Sequence, residues 1–149
     1  MFTHLLVPLD GSKFGETALE YALSLAQKYD SKITLLHIVH DQWQGEMRAE
    51  SPELNELTQQ KESNHSYIYL NAKEKDLQEQ GYNVESIIKS GEPVAKAILS
   101  MAAEEDVDTI VMSSHGFTGL KRLMFGNVAE KVVSRATVPV LLIRQPMDD

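Results

Sequence analysis

The pattern along the chain switches repeatedly between two kinds of stretch, and this restricts the fold more than any single residue does. Short apolar runs, HLLVPL (4–9), KITLLHIV (32–39), NVESIIK (83–89), DTIVMSS (108–114) and PVLLIR (139–144), have strand length. Between them lie stretches with helical periodicity. In ETALEYALSLAQKYD (16–30), Ala18, Ala22, Leu25, Ala26 and Tyr29 share one face, which Leu19 and Leu23 widen. A looser stripe of Tyr67, Leu70 and Leu77 predicts a helix over 63–80, stopped by Gly81. After Pro93, Ala95, Ile98, Leu99 and Ala102 form a stripe, and in GNVAEKVVSRA (126–136) Ala129, Val132, Val133 and Ala136 form another. Residues 40–62 are polar and read as an irregular excursion with a helical start after Pro52.

Strands without polar alternation are covered on both faces, which is the habit of parallel sheets. With right-handed crossovers the pattern predicts an α/β fold: one parallel sheet of five strands between two layers of helices. The 149 residues fit one domain, 1–149, and a hydrophobic content of 42% supplies a core. No apolar stretch reaches the ~18 residues of a membrane helix, and MFTHLLVPLDGS has no basic start, so it is not read as a signal peptide. No membrane insertion and a cytoplasmic location are the expectations. The absence of cysteine excludes disulfides and thiolate chemistry. A net charge of −8 argues against a nucleic-acid surface.

In such sheets ligands bind at the carboxyl ends of strands, where strand order reverses. That directs attention to PLDGS, HIVHD and SSHG. The third begins the stretch MSSHGFTGLKRLMFGN (112–127). Gly116 permits close approach to the backbone, and Gly126 precedes a helix that Asn127 can cap, with Glu130 reaching back. The first turn of that helix offers free N–H groups and the positive end of its dipole to an anion, and Lys121 and Arg122 add charge nearby. By themselves the two glycines read more simply as a turn and a helix entry. Neither GxxxxGK[ST] nor GxGxxG occurs. Asp10, before Gly11 and Ser12, reads either as a turn residue capping the first helix or as an acceptor for a ribose hydroxyl or an adenine amine.

The ordered set HLLVPLDGS, LLHIV, SGEP, SSHG, GNVAEKVV and PVLLIR resembles the universal stress proteins across essentially the whole chain. The phosphate loop of the family's nucleotide-binding members reads G-x2-G-x9-G followed by Ser or Thr. Here it reads Ser113, two residues, Gly116, nine residues, Gly126 and Asn127, so the spacing is kept while Ser113 and Asn127 depart from the pattern. The resemblance implies strand order 3-2-1-4-5 and a site for ATP, ADP or AMP, with Mg as a companion. It implies an adenosine pocket lined by Pro8, Leu9, Asp10, Ile38 and Met112. On the phosphate side it implies Ser113, His115, Gly116, Gly126, Asn127 and the backbone of Val128. It also implies a homodimer through the last strand, 138–143, and a regulatory role in a stress response.

His115 is read as loop-shaping or phosphate-contacting, since no second ligand stands at a metal-binding spacing, and His37 as a hydrogen-bonded core histidine. His4, His40 and His65 suggest no role, and Trp43 reads as packing or a partner contact. No Walker lysine and no paired base for Ser12, Ser113 or Ser114 appears, so a dedicated enzyme is not expected, and hydrolysis would be slow at most. The alternatives are an interaction module that needs no nucleotide, a slow ATPase, or a carrier of an adenine-containing redox cofactor.

Overall fold

The structure, a computed structural model, describes residues 1–39, 52–114 and 127–144, with only the helical backbone for 52–64. The element order is β1 (His4–Pro8), α1 (Lys13–Tyr29), β2 (Lys32–Val39), α2 (Pro52–Glu79), β3 (Asn83–Ser90), α3 (Val94–Glu104), β4 (Thr109–Ser113), α4 (Asn127–Arg135) and β5 (Val140–Ile143). The strands form one sheet in the order β3-β2-β1-β4-β5, and every adjacent pair is parallel. This is the expected arrangement.

The path explains the two helix layers. From β1 the chain steps through β2 to β3 in one direction, then crosses to β4 and steps to β5 in the other. Right-handed crossovers therefore place α1 and α2 on one face and α3 and α4 on the opposite face. The core divides accordingly. Leu5, Val7, Ile33, Leu35 and Val111 pack with Ala18, Leu19 and Ala22 of α1 and Leu70 and Leu77 of α2. Leu6, Leu36 and Ile110 pack with Ala97, Ile98 and Met101 of α3 and Ala129 and Val132 of α4.

Three expectations change, and one is extended: the helical start expected after Pro52 and the helix expected over 63–80 form one helix, Pro52–Glu79, with proline in its first turn. Tyr67 is 60% exposed, and the tyrosine of α2 that packs inward is Tyr69. Tyr29 is 44% exposed because it lies in the last turn of α1, where its ring meets Phe2 at 5.3 Å instead of the core. Val133 is 49% exposed, since Ala129 and Val132 already fill the narrow contact of the short helix α4.

Candidate functional site

The site region begins where β1 leaves the sheet. Leu9 keeps one more ladder bond, its N–H donating to the Leu36 carbonyl at 2.8 Å. The Leu9 carbonyl lies 2.7 Å from His37 Nδ1. A carbonyl only accepts, so Nδ1 carries the proton. His37 Nε2 is 2.9 Å from Ser66 Oγ of α2. His37 is hydrogen-bonded as the sequence implied, but it is partly buried rather than a core residue.

Beyond Leu9 the chain turns sharply. The Asp10 Oδ1 atom accepts from the Ser12 N–H at 2.9 Å, and Gly11 sits at φ 85°. Both readings of Asp10 bear on this geometry. The turn role is present, but the residue that caps α1 is Ser12, whose hydroxyl oxygen accepts from the Gly15 N–H. A side chain at position 15 would bring a Cβ within 3.3 Å of Leu9 Cδ2 and 3.6 Å of Asp10 Oδ1. Glycine there lets α1 start directly against the end of β1.

Ile38 and Met112 belong to the core on the α3/α4 face, 6% and 5% exposed. Alternation along β1 places Pro8 on that face with Leu6. The register Leu6↔Ile110 makes Pro8 and Met112 level with each other. These three residues form one apolar floor at the carboxyl edge. Leu9 does not join it. Its side chain is 3% exposed and packs in the α1/α2 core, on the other face of the sheet, as the two-residue period of a strand requires.

At the end of β4, Ser113 is partly buried and pairs with Ile143. Ser114 is 1% exposed, and its N–H donates to the Ile143 carbonyl at 2.9 Å. Its Oγ has no hydrogen-bond partner among the described residues. A buried hydroxyl left so costs about 1–3 kcal/mol. Helix α4 includes Asn127 as its first residue, exposed, with Val128 partly buried against the core. Asn127 is thus a helical residue rather than the residue before the helix, a correction of one position. His115, Gly116 and Gly126, with Lys121, Arg122 and Trp43, lie outside the described residues.

A second group, which the sequence reading missed, borders Asp10 from the α1/α2 side. The Tyr69 hydroxyl donates to Glu16, and Lys73 Nζ stands 2.8 Å from Glu16 Oε2 and 5.8 Å from the Tyr69 ring centre. Burial, the Glu16 bond and the negative charges of Glu16 and Asp10 push the Tyr69 phenol well above its ordinary value. It stays a donor. The signal was available: Ser66, Tyr69 and Lys73 fall three and four residues apart, a polar stripe on the face of α2 that also carries Leu70 and Leu77.

The Ser66–His37–Leu9 chain has the connectivity of a nucleophile, a base and an orienting acceptor. Ser66, however, lies deep within α2, where neighbouring N–H groups are spent on the helix. Oxyanion donors of the kind acyl transfer requires are thus missing among the described residues. No group of His, Cys, Asp and Glu suited to a metal ion occurs among them either. What this edge offers is an apolar floor, a carboxylate on a tight turn, serine hydroxyls and the first turn of a helix. These are groups for holding a polar, partly apolar ligand.

Comparison with known proteins agrees with this geometry. The model of the universal stress protein family matches residues 1–144. The universal stress protein YxiE of Bacillus subtilis (strain 168) is 35% identical over 150 residues, covering 97% of this chain and 100% of that protein. The solved structure of the protein MJ0577 of Methanocaldococcus jannaschii superposes with a TM-score of 0.87 at 29% identity, covering 99% of each chain. A universal stress protein family protein from Arabidopsis thaliana, solved with AMP bound, has the same fold. Its TM-score is 0.68 at 23% identity, with 97% of this chain and 92% of that one covered.

Proposed function

The chain belongs to the universal stress protein family, and on that premise we propose that it is an adenine-nucleotide-binding regulator acting in a stress response. The observation that carries the proposal is convergence at the switch point of the sheet. Order β3-β2-β1-β4-β5 reverses between β1 and β4, and Asp10 and Ser113 stand at the carboxyl ends of those two strands. The AMP-bound relative supports the ligand class.

In this reading Pro8, Ile38 and Met112 form the apolar side of the nucleoside pocket, and the Asp10 carboxylate accepts from the ribose or the adenine amine. The phosphates take the Ser113 hydroxyl, the loop carrying His115, Gly116 and Gly126, and the N–H groups of Asn127 and Val128 at the start of α4. ATP arrives with its Mg2+, and ADP and AMP fit the same donors. The work is binding rather than turnover: occupancy biases the surface seen by partners, in the cytoplasm. Strand β5 is a sheet edge with Leu141 37% exposed, and a second copy pairing there covers it. Two departures, Ser113 and Asn127, favour one rival, an interaction module that needs no nucleotide.

The test is to denature freshly purified protein, chromatograph the released small molecules, and titrate ATP into stripped protein beside the Gly116→Val variant. Adenine nucleotide released, or ATP bound by wild type and not by the variant, is the expected result. Folded wild type that carries nothing and gives no heat with ATP leaves the interaction module in its place.

A further inference from the structure

We propose that Ser66 and His37 are positioning residues for the nucleotide pocket, acting through the Leu9 carbonyl, so that helix α2 is part of the binding site although it touches no ligand. The proposal rests on the nucleotide reading above and adds to it an affinity-setting element outside the loop motif.

The geometry is a chain of three links. The last backbone donor of β1 toward β2 is the Leu9 N–H, bonded to the Leu36 carbonyl at 2.8 Å. The Leu9 carbonyl is the next group, and a side chain takes it: His37 Nδ1–H, at 2.7 Å. Both ends of Leu9 are therefore tied to adjacent residues of β2. A trans peptide is planar with its C=O and N–H opposed. Fixing the Leu9 carbonyl on His37 thus turns the Asp10 N–H away from His37 and fixes the Cα from which the Asp10 carboxylate projects. Asp10 Oδ1 then closes the turn on the Ser12 N–H at 2.9 Å.

The third link is Ser66. Because Nδ1 must donate to a carbonyl, neutral His37 presents a lone pair at Nε2, and the Ser66 hydroxyl at 2.9 Å donates to it. This bond holds the ring plane, and the ring plane aims Nδ1–H. Neighbouring contacts keep α2 in place for the task. Leu70 and Leu77 anchor it in the core, and Tyr69 and Lys73 bind Glu16 in the first turn of α1. Ser66, Tyr69 and Lys73 thereby brace the segment Leu9–Glu16 from one side, leaving the face with Pro8, Ile38 and Met112 to the ligand.

The experiment is calorimetric titration of ATP and of adenosine into stripped wild type, Ser66→Ala, Ser66→Thr, His37→Ala and His37→Asn, with thermal unfolding of each. Removing one orienting hydrogen bond is expected to weaken both ligands by about fivefold in Ser66→Ala. The loss is equal for ATP and adenosine because the relay ends at Asp10, on the nucleoside side. Ser66→Thr keeps the hydroxyl and restores affinity. His37→Asn, whose amide can still donate to the Leu9 carbonyl, binds better than His37→Ala. A general loosening of the fold would lower the melting temperature without this rescue pattern. Should His37→Ala fail to fold, the Ser66 pair carries the test. Normal binding by wild type with Ser66→Ala inside twofold of it overturns the relay alone. Wild type that binds neither ligand overturns the nucleotide reading and the relay together.

Discussion

The two edges of the sheet are built on opposite plans. At the amino edge the strand ends are bonded to one another. The Thr3 N–H and hydroxyl and the His4 N–H all donate to Asp108 Oδ2, and the Thr109 hydroxyl donates to Asp108 Oδ1. His4 Nε2 is 2.7 Å from Thr34 Oγ1, which donates onward to Glu85, and Glu85 meets Lys32 at 2.9 Å. Four strands, β1 to β4, are laced together in this way. At the carboxyl edge the same strands end in the Asp10–Gly11 turn and in Ser114, a buried hydroxyl with no partner among the described residues. Among the described residues, the amino edge spends its polar groups on one another, whereas the carboxyl edge carries the buried Ser114 hydroxyl without a partner. With the proposed nucleotide site at the carboxyl edge, stability and binding are expected to separate along the strand direction.

This separation can be broken by experiment, and the largest effect is expected at the amino edge. Asp108→Ala strands four donors and should lower unfolding free energy by about 2 kcal/mol in urea titrations. Nucleotide affinity in the same variant should stay within about twofold. A parallel loss of affinity would show that the edges are coupled. Next in size is Asp10→Ala. It should weaken ATP by about tenfold, equivalent to ~1.4 kcal/mol, while moving stability by less than ~1 kcal/mol. A variant that unfolds but binds normally when folded would return Asp10 to a turn residue.

The smallest effect is a pH dependence, and its sign is fixed. Burial and the charge of Lys32 hold His4 below its ordinary value of 6.5, so the folded state prefers the neutral ring. Its contribution is full above pH 6.5 and fades as pH falls below that value. Although burial pushes the Asp108 carboxyl up, bonds from Thr3, Thr109 and His4 outweigh it and hold it below the carboxylate range. Glu85 is lowered chiefly by its bond to Lys32. Both carboxylates contribute fully above their unfolded values, and this is lost as pH falls through the folded ones. Acid thus loosens the amino edge in two steps. Urea midpoints measured against pH should lose the first step in His4→Gln and keep the second.

Much of the fold was legible because burial on both faces writes itself as continuous apolar sequence. KITLLHIV is β2 residue for residue. The extent of α2 is only partly legible: Pro52 signals a helical start, but the residues after it carry little apolar signal, since an edge-covering helix needs only a few anchors such as Leu70 and Leu77. The helical stripe names Tyr67 where Tyr69 packs inward, because period alone does not say which tyrosine has a partner. Glu16 of α1 supplies that partner, 53 positions from Tyr69, and it also holds Lys73, 57 positions away. At the site, strand ends and spacing point to Asp10 and Ser113, whereas Pro8, Leu9, Ile38 and Met112 come from the family resemblance. The side-chain face of Leu9 follows from alternation along β1.

The sequence by itself determined the class of sheet, the strand order implied by family likeness, the absence of thiol chemistry and the spacing of the glycine loop. Apart from the strand order, which rests on the family likeness, these depend on local pattern and composition, which a chain carries before it folds. Only the tertiary structure decided that Ser12 and not Asp10 caps α1, that Ser66 reaches His37, and that Asp108 gathers the amino ends of β1 and β4. Such bonds join residues as many as 105 positions apart. Their partners are chosen by register and crossover, and no local pattern encodes those.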